Sequence, residues 1–132
     1  MKKRCFKSIM CLFLSIIIFG ITPESVFAEY NETVSNAAYA GSTRFQYSLH
    51  MENFSAYAYL DADYQSELYL CGYVEDRLGD YFNNTYTFSA GDQWGYSIGA
   101  GRETAYLTWQ SHAEYRVDSE DGGCSTSLNL HE

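Results

Sequence analysis

Residues 103–117 alternate in a single phase for fifteen positions, and no stretch after residue 28 repeats every 3.6 residues. Ala105, Leu107, Trp109, Ser111, Ala113, Tyr115 and Val117 share one face, and Tyr106, Thr108, Gln110, His112, Glu114 and Arg116 share the other. Period two places successive side chains on opposite faces of an extended strand. The same alternation recurs at Phe45, Tyr47, Leu49 and Met51. The chain is therefore expected to be all-β.

The N-terminal segment follows a different rule. Lys2, Lys3, Arg4 and Lys7 precede an apolar run over residues 9–21, and Val26-Phe27-Ala28 follows. A basic head, a short apolar run and a small residue before the cut predict a secretory signal peptide helix over 1–28. The run is too short for a comfortable bilayer span. The lysine-rich head is in the style of Gram-positive secretion, and the cleaved chain is expected to be extracellular. It would retain four Arg, no Lys, no Pro and sixteen acidic residues, a net charge of −12. Nucleic-acid binding needs clustered cations, so it is excluded, and such a chain is not expected to insert into a membrane.

Leu, Ile, Val and Phe are scarce beyond residue 28, a composition that with high charge ordinarily means disorder. Thirteen Tyr, four Phe and two Trp reverse that expectation. Each aromatic ring can bury about 150–250 Å² and favours strands. The core is expected to be built largely of tyrosine. Two cysteines remain, Cys71 and Cys124, and export would permit a disulfide between them. In the chain-entropy model such a bridge adds up to about 4 kcal/mol.

Turn residues divide the rest into about seven strands. Residues 29–42 read as a flexible lead and 43–132 as one domain. Strands are expected at 43–51, 54–60, 67–74, 85–89, 94–98, 103–117 and 124–130, with turns at 61–66, 90–93 and 99–101. This spacing predicts a small antiparallel β-sandwich.

Four features bear on chemistry. Gly95-Tyr96-Ser97-Ile98-Gly99 has the form of a nucleophile elbow, but the elbow needs a strand–turn–helix setting on a large parallel sheet. About 100 residues of strand cannot supply it, and the chain is expected to be non-catalytic. Asp61, Asp63 and Glu67 gather carboxylates in a segment read as a turn, the donor chemistry of a weak extracellular calcium site. Solvated turn acids are the commoner outcome on so acidic a chain. His50, His112 and His131 are scattered and carry no metal-site spacing. Tyr57, Tyr59, Tyr69 and Tyr73 would form one face if strands 54–60 and 67–74 paired with Tyr59 opposite Tyr69; a one-residue slip sets Tyr59 against Leu68 instead. A four-tyrosine face could stack on sugars or receive a protein, and core packing competes with that reading.

A signal peptide followed by one short Tyr/Ser/Gly-rich β domain resembles, in layout, the secreted β-sandwich bacteriocins of the lactococcin 972 type. The resemblance rests on no shared motif and implies no residue roles. Two functions are therefore expected: an exported binding module for an extracellular protein or glycan, or a bacteriocin-like antagonistic effector.

Overall fold

The computed structural model describes residues 30–132, all strand and turn. The expected signal peptide, 1–28, lies outside the described residues. Six strands follow in order: β1 (Asn31–Ala40), β2 (Thr43–Glu52), β3 (Ser55–Leu78), β4 (Phe82–Glu103), β5 (Leu107–Ser119) and β6 (Gly122–His131). All pairings are antiparallel, in the order β1-β2-β3-β5-β6 with β4 along the other edge of β3. The sheet is nearly closed on itself.

Much of the expected alternation holds. Phe45, Tyr47, Leu49 and Met51 point inward from β2, and Ser111, Ala113, Tyr115 and Val117 from β5. Tyr47 and Tyr115 stack with ring centroids 5.1 Å apart. The Tyr115 hydroxyl donates to the Ser48 carbonyl at 2.6 Å, and Thr126 donates to the Tyr47 hydroxyl at 3.0 Å. Buried tyrosines thus keep their polar ends bonded, and burial pushes the Tyr115 hydroxyl pKa well up.

Four expected segments differ. Residues 31–40, expected as a flexible lead, form β1 and pair with β2 from Asn31↔Glu52 to Ala40↔Thr43. They bury little of themselves, and ladder hydrogen bonds rather than hydrophobic pattern hold them, so no period betrays them. Residues 61–66 and 90–93, expected as turns, lie within β3 and β4. They mark the bend of one long hairpin. The first arm of β3 lies between β2 and β4, and its second arm between β5 and β4. Residues 99–101, also expected as a turn, continue β4.

The bend is made by two register shifts. Four residues of β3, 62–65, face only Tyr96 of β4 between Asp61↔Ser97 and Ser66↔Gly95. Tyr69 alone then faces both Gly91 and Asp92, between Leu68↔Gln93 and Leu70↔Ala90. Extra residues on one strand bend it and increase its twist. Leu60, Leu68, Leu70 and Val74 stay buried on both sides of the bend, so one core serves both arms.

Asp76 fixes the far arm. It is fully buried on β3, and its carboxylate accepts from the Asn84 amide and side chain, the Tyr86 hydroxyl, and the Ala105 and Tyr106 amides, all at 2.9–3.2 Å. Five donors from β4 and the β4–β5 connection converge on one anion, replacing the water it lost.

The opposite end is closed by a clamp between two tight turns. Gly41 has φ of 60° at the first position of the two-residue β1–β2 turn, where glycine is favoured. A Cβ there would also lie 2.2 Å from Asp121 Oδ1. Asp121, in the β5–β6 turn, accepts from the Ser42 amide at 3.0 Å, the Ser42 hydroxyl at 2.6 Å and the Ser119 hydroxyl at 2.8 Å. Ser119 also donates to the Ala40 carbonyl at 2.7 Å. The hydroxyls and the Ser42 amide hold the Asp121 carboxyl below its ordinary range.

Two outcomes follow. Asp76→Ala strands five donors and lowers unfolding stability by about 3 kcal/mol or more in urea titration. Because its folded pKa is depressed, Asp121 stabilises the fold above the ordinary value of 3.8 and loses that effect as pH falls through its lowered value. Wild type should melt above Asp121→Ala at pH 7, with the gap closing in acid. A gap undiminished in acid would rule out the carboxylate clamp.

Candidate functional site

Tyr57, Tyr59, Tyr69 and Tyr73 do share a face, though not through a hairpin. All four lie on β3, where even positions outside the bend are mostly buried, so the odd ones form an outward row. Neither expected register between two short strands arises, because both segments are one strand.

Most of this row covers the β4 edge. Tyr57 pairs with Gly101, Tyr59 with Gly99, and Tyr69 lies against Gly91. A Cβ on Gly101 would fall 2.0 Å from the Tyr57 ring and 2.6 Å from the Ala56 carbonyl. Rings thus lie where β4 has no side chains. Tyr69 also carries the Arg116 guanidinium at 5.8 Å, and Tyr73 packs on the His112 ring at 5.5 Å. Of the four, only Tyr59 is half exposed. The row is a cover for the strand more than a free platform.

A concavity of about 760 Å³ lies beside this row, lined by Cys71, Tyr73, His112 and Glu114 among others. Its polar groups already engage neighbours. His112 bonds Asn129 at 2.6 Å and Glu114 at 3.3 Å, and the Cys71 thiol contacts Glu114 at 4.0 Å.

The expected Cys71–Cys124 disulfide is absent, and both thiols are free. Cys71 is in register with Glu114 and Cys124 with Val117, so β5 runs between them. Two strand spacings put them about 10 Å apart across the sheet, beyond the reach of a disulfide at Cα separations under about 7 Å. They also face opposite ways. Cys71 stands beside exposed Glu114, while Cys124 packs against the core.

Asp61, Asp63 and Glu67 are exposed along β3 rather than gathered in a turn. Extended chain spreads side chains that a turn would converge. Among the described residues no group of three His, Cys, Asp or Glu side chains is placed to hold a metal ion. Asp118 pairs with Arg116 at 2.9 Å, and Asp121 is held by its serines. Gly95-Tyr96-Ser97-Ile98-Gly99 runs through β4 as strand, with no helix after it and hence no elbow.

The bend assembles a different group. Tyr64, Trp94 and Tyr96 are 67%, 53% and 60% exposed, and they line one groove of about 600 Å³ with Ser42, Thr43, Gln65, Glu120 and Asp121. The bulges cause this arrangement. Tyr64 rides on the arch of β3, Tyr96 is the single residue beneath that arch, and Trp94 turns outward beside Glu67. The turn clamp supplies the opposite wall. Three exposed rings beside an amide, hydroxyls and carboxylates, with no cation in the lining, suit a ligand having apolar faces and many hydroxyls. Periodicity and motif spacing do not single out these residues. The available signal is large aromatics beside Asp, Gln and Gly, where a strand core has no use for them.

The covering role of the tyrosines has a direct check. Gly101→Ala forces a Cβ against backbone and should destabilise the fold by about 1–3 kcal/mol. Gly95→Ala meets open space and should leave the melting temperature nearly unchanged. Equal effects of the two would contradict the packing account. In comparisons with known proteins, no family model, curated protein or solved structure matches the chain.

Proposed function

We propose that this protein is an exported, non-catalytic binding module, a β-sandwich that holds a neutral glycan across the Tyr64–Trp94–Tyr96 groove. The observation that carries the reading is the group of three exposed rings around one concavity. Rings stack on the C–H faces of sugars, while the exposed Gln65 amide and Glu120 carboxylate offer donors and acceptors to their hydroxyls. The acids of the groove and the chain's net charge of −9 repel anionic polymers, which argues for an uncharged saccharide. Export rests on the basic head and apolar run of residues 1–28.

The test is titration with neutral oligosaccharides, followed by tryptophan fluorescence. Trp94 should report binding, while Trp109, packed on His131 at the other end of β5, serves as an internal reference. Trp94→Ala and Tyr64→Ala should each weaken binding about tenfold, the loss of one stacking contact of ~1 kcal/mol or more. Binding indifferent to both substitutions would refute the groove. Growth arrest of neighbouring cells without sugar binding would favour the antagonistic effector instead.

A further inference from the structure

Among the described residues the sheet has three strands with an unpaired side, β1, β4 and β6. Their sequences share a property rare on so acidic a chain. β1 beyond Glu32, the first ten residues of β4 (82–91) and β6 contain no Asp, Glu, Lys or Arg. Two of the three face each other. β1 and β6 approach along the closing seam, where Ser119 bonds the Ala40 carbonyl and Asp121 bonds Ser42. The uncharged edges therefore meet where strands come together without like-charge cost.

β4 is the edge left over. Among the described residues it pairs with β3 alone, along its whole length. Thr85, Thr87 and Ser89 are exposed, and Phe82 is 63% exposed. Natural edges are ordinarily blunted by Lys, Pro or a covering segment; residues 82–90 contain neither Lys nor Pro, and an open concavity of about 760 Å³ separates Thr87–Ser89 from Gly99–Arg102. The bulges that bend β4 begin only after Ala90, so residues 82–90 form one regular run.

We propose that residues 84–90 of β4 pair antiparallel with the same residues of a second copy, extending the sheet across a two-fold axis. A second copy supplies a strand with the same uncharged, hydroxyl-bearing run, so this contact sets no acid directly against acid. An axis at Thr87 sets Thr87 opposite Thr87 and Thr85 opposite Ser89, hydroxyl pairs that favour cross-strand contact. Antiparallel pairing of one segment with itself is two-fold symmetric, so the assembly closes at a dimer. The bend limits the contact to this arm and leaves the aromatic groove open in both copies.

Sedimentation of the chain as recovered from expressing cells, over a wide concentration range, tests the proposal. The expected result is a concentration-dependent dimer. The double substitution Thr85→Lys/Thr87→Lys would set like charges across the axis. It should weaken self-association about tenfold or more while the circular dichroism spectrum persists. Hydrogen exchange on the unmodified chain gives a second reading, in which β4 amides of residues 84–90 become more protected as concentration rises and those of β2 do not. A monomer at every concentration, a dimer indifferent to the double substitution, or exchange at β4 independent of concentration would each overturn the proposal.

Discussion

A two-stranded ribbon as long as β3 and β4 has to bend if both its arms are to share one core, and everything else in this fold is arranged around that bend. The change of register at Asp61/Ser66 and the single Tyr69 facing Gly91 and Asp92 turn the ribbon without breaking it. The first arm can then receive β2 and the second arm β5 on the same side of β3. Leu60, Leu68 and Leu70 follow the inside of the curve, which is why the inward phase of β3 survives it. The aromatic groove is the outside of the same curve, where an arched strand lifts Tyr64 and a shifted one turns Trp94 outward.

The two ends of the molecule are closed by carboxylates without cations. Asp76 is buried and satisfied by five donors, and Asp121 is exposed and satisfied by serine hydroxyls and an amide. A chain with twice as many acids as bases has few cations to commit to ion pairs. Amides and hydroxyls take their place here, because a carboxylate accepting several N–H and O–H bonds is stabilised as an anion without a counter-ion. Thr and Ser in this sequence therefore have a structural use beyond strand propensity.

Tyrosine is divided between three tasks. Tyr47 and Tyr115 are core residues whose hydroxyls reach bonded partners. Tyr57, Tyr59 and Tyr69 lie over glycines of β4, lending the strand side-chain cover it lacks. Tyr64 and Tyr96 stand in water at the bend. Parity along the strand separates the first group from the second. It fails for the third, since simple alternation would turn Tyr64 inward with Ala62 and Ser66, and only the arch lifts its ring out.

Local chemistry determined the strand class, the inward faces of β2 and β5, and the reliance on aromatic packing, because alternation and ring area act within a few residues. It also marked the bend, although Ala90-Gly91-Asp92-Gln93 has the same composition whether a chain reverses or bulges. The pairing of residues 31–40, the separation of Cys71 from Cys124 by β5, and the dispersal of Asp61, Asp63 and Glu67 along a strand were decided by tertiary structure. Each depends on register between segments far apart in sequence, and a one-residue change in register moves every side chain to the opposite face. The groove of Tyr64, Trp94 and Tyr96 belongs with these, because it exists only where two shifted strands and two clamped turns come together.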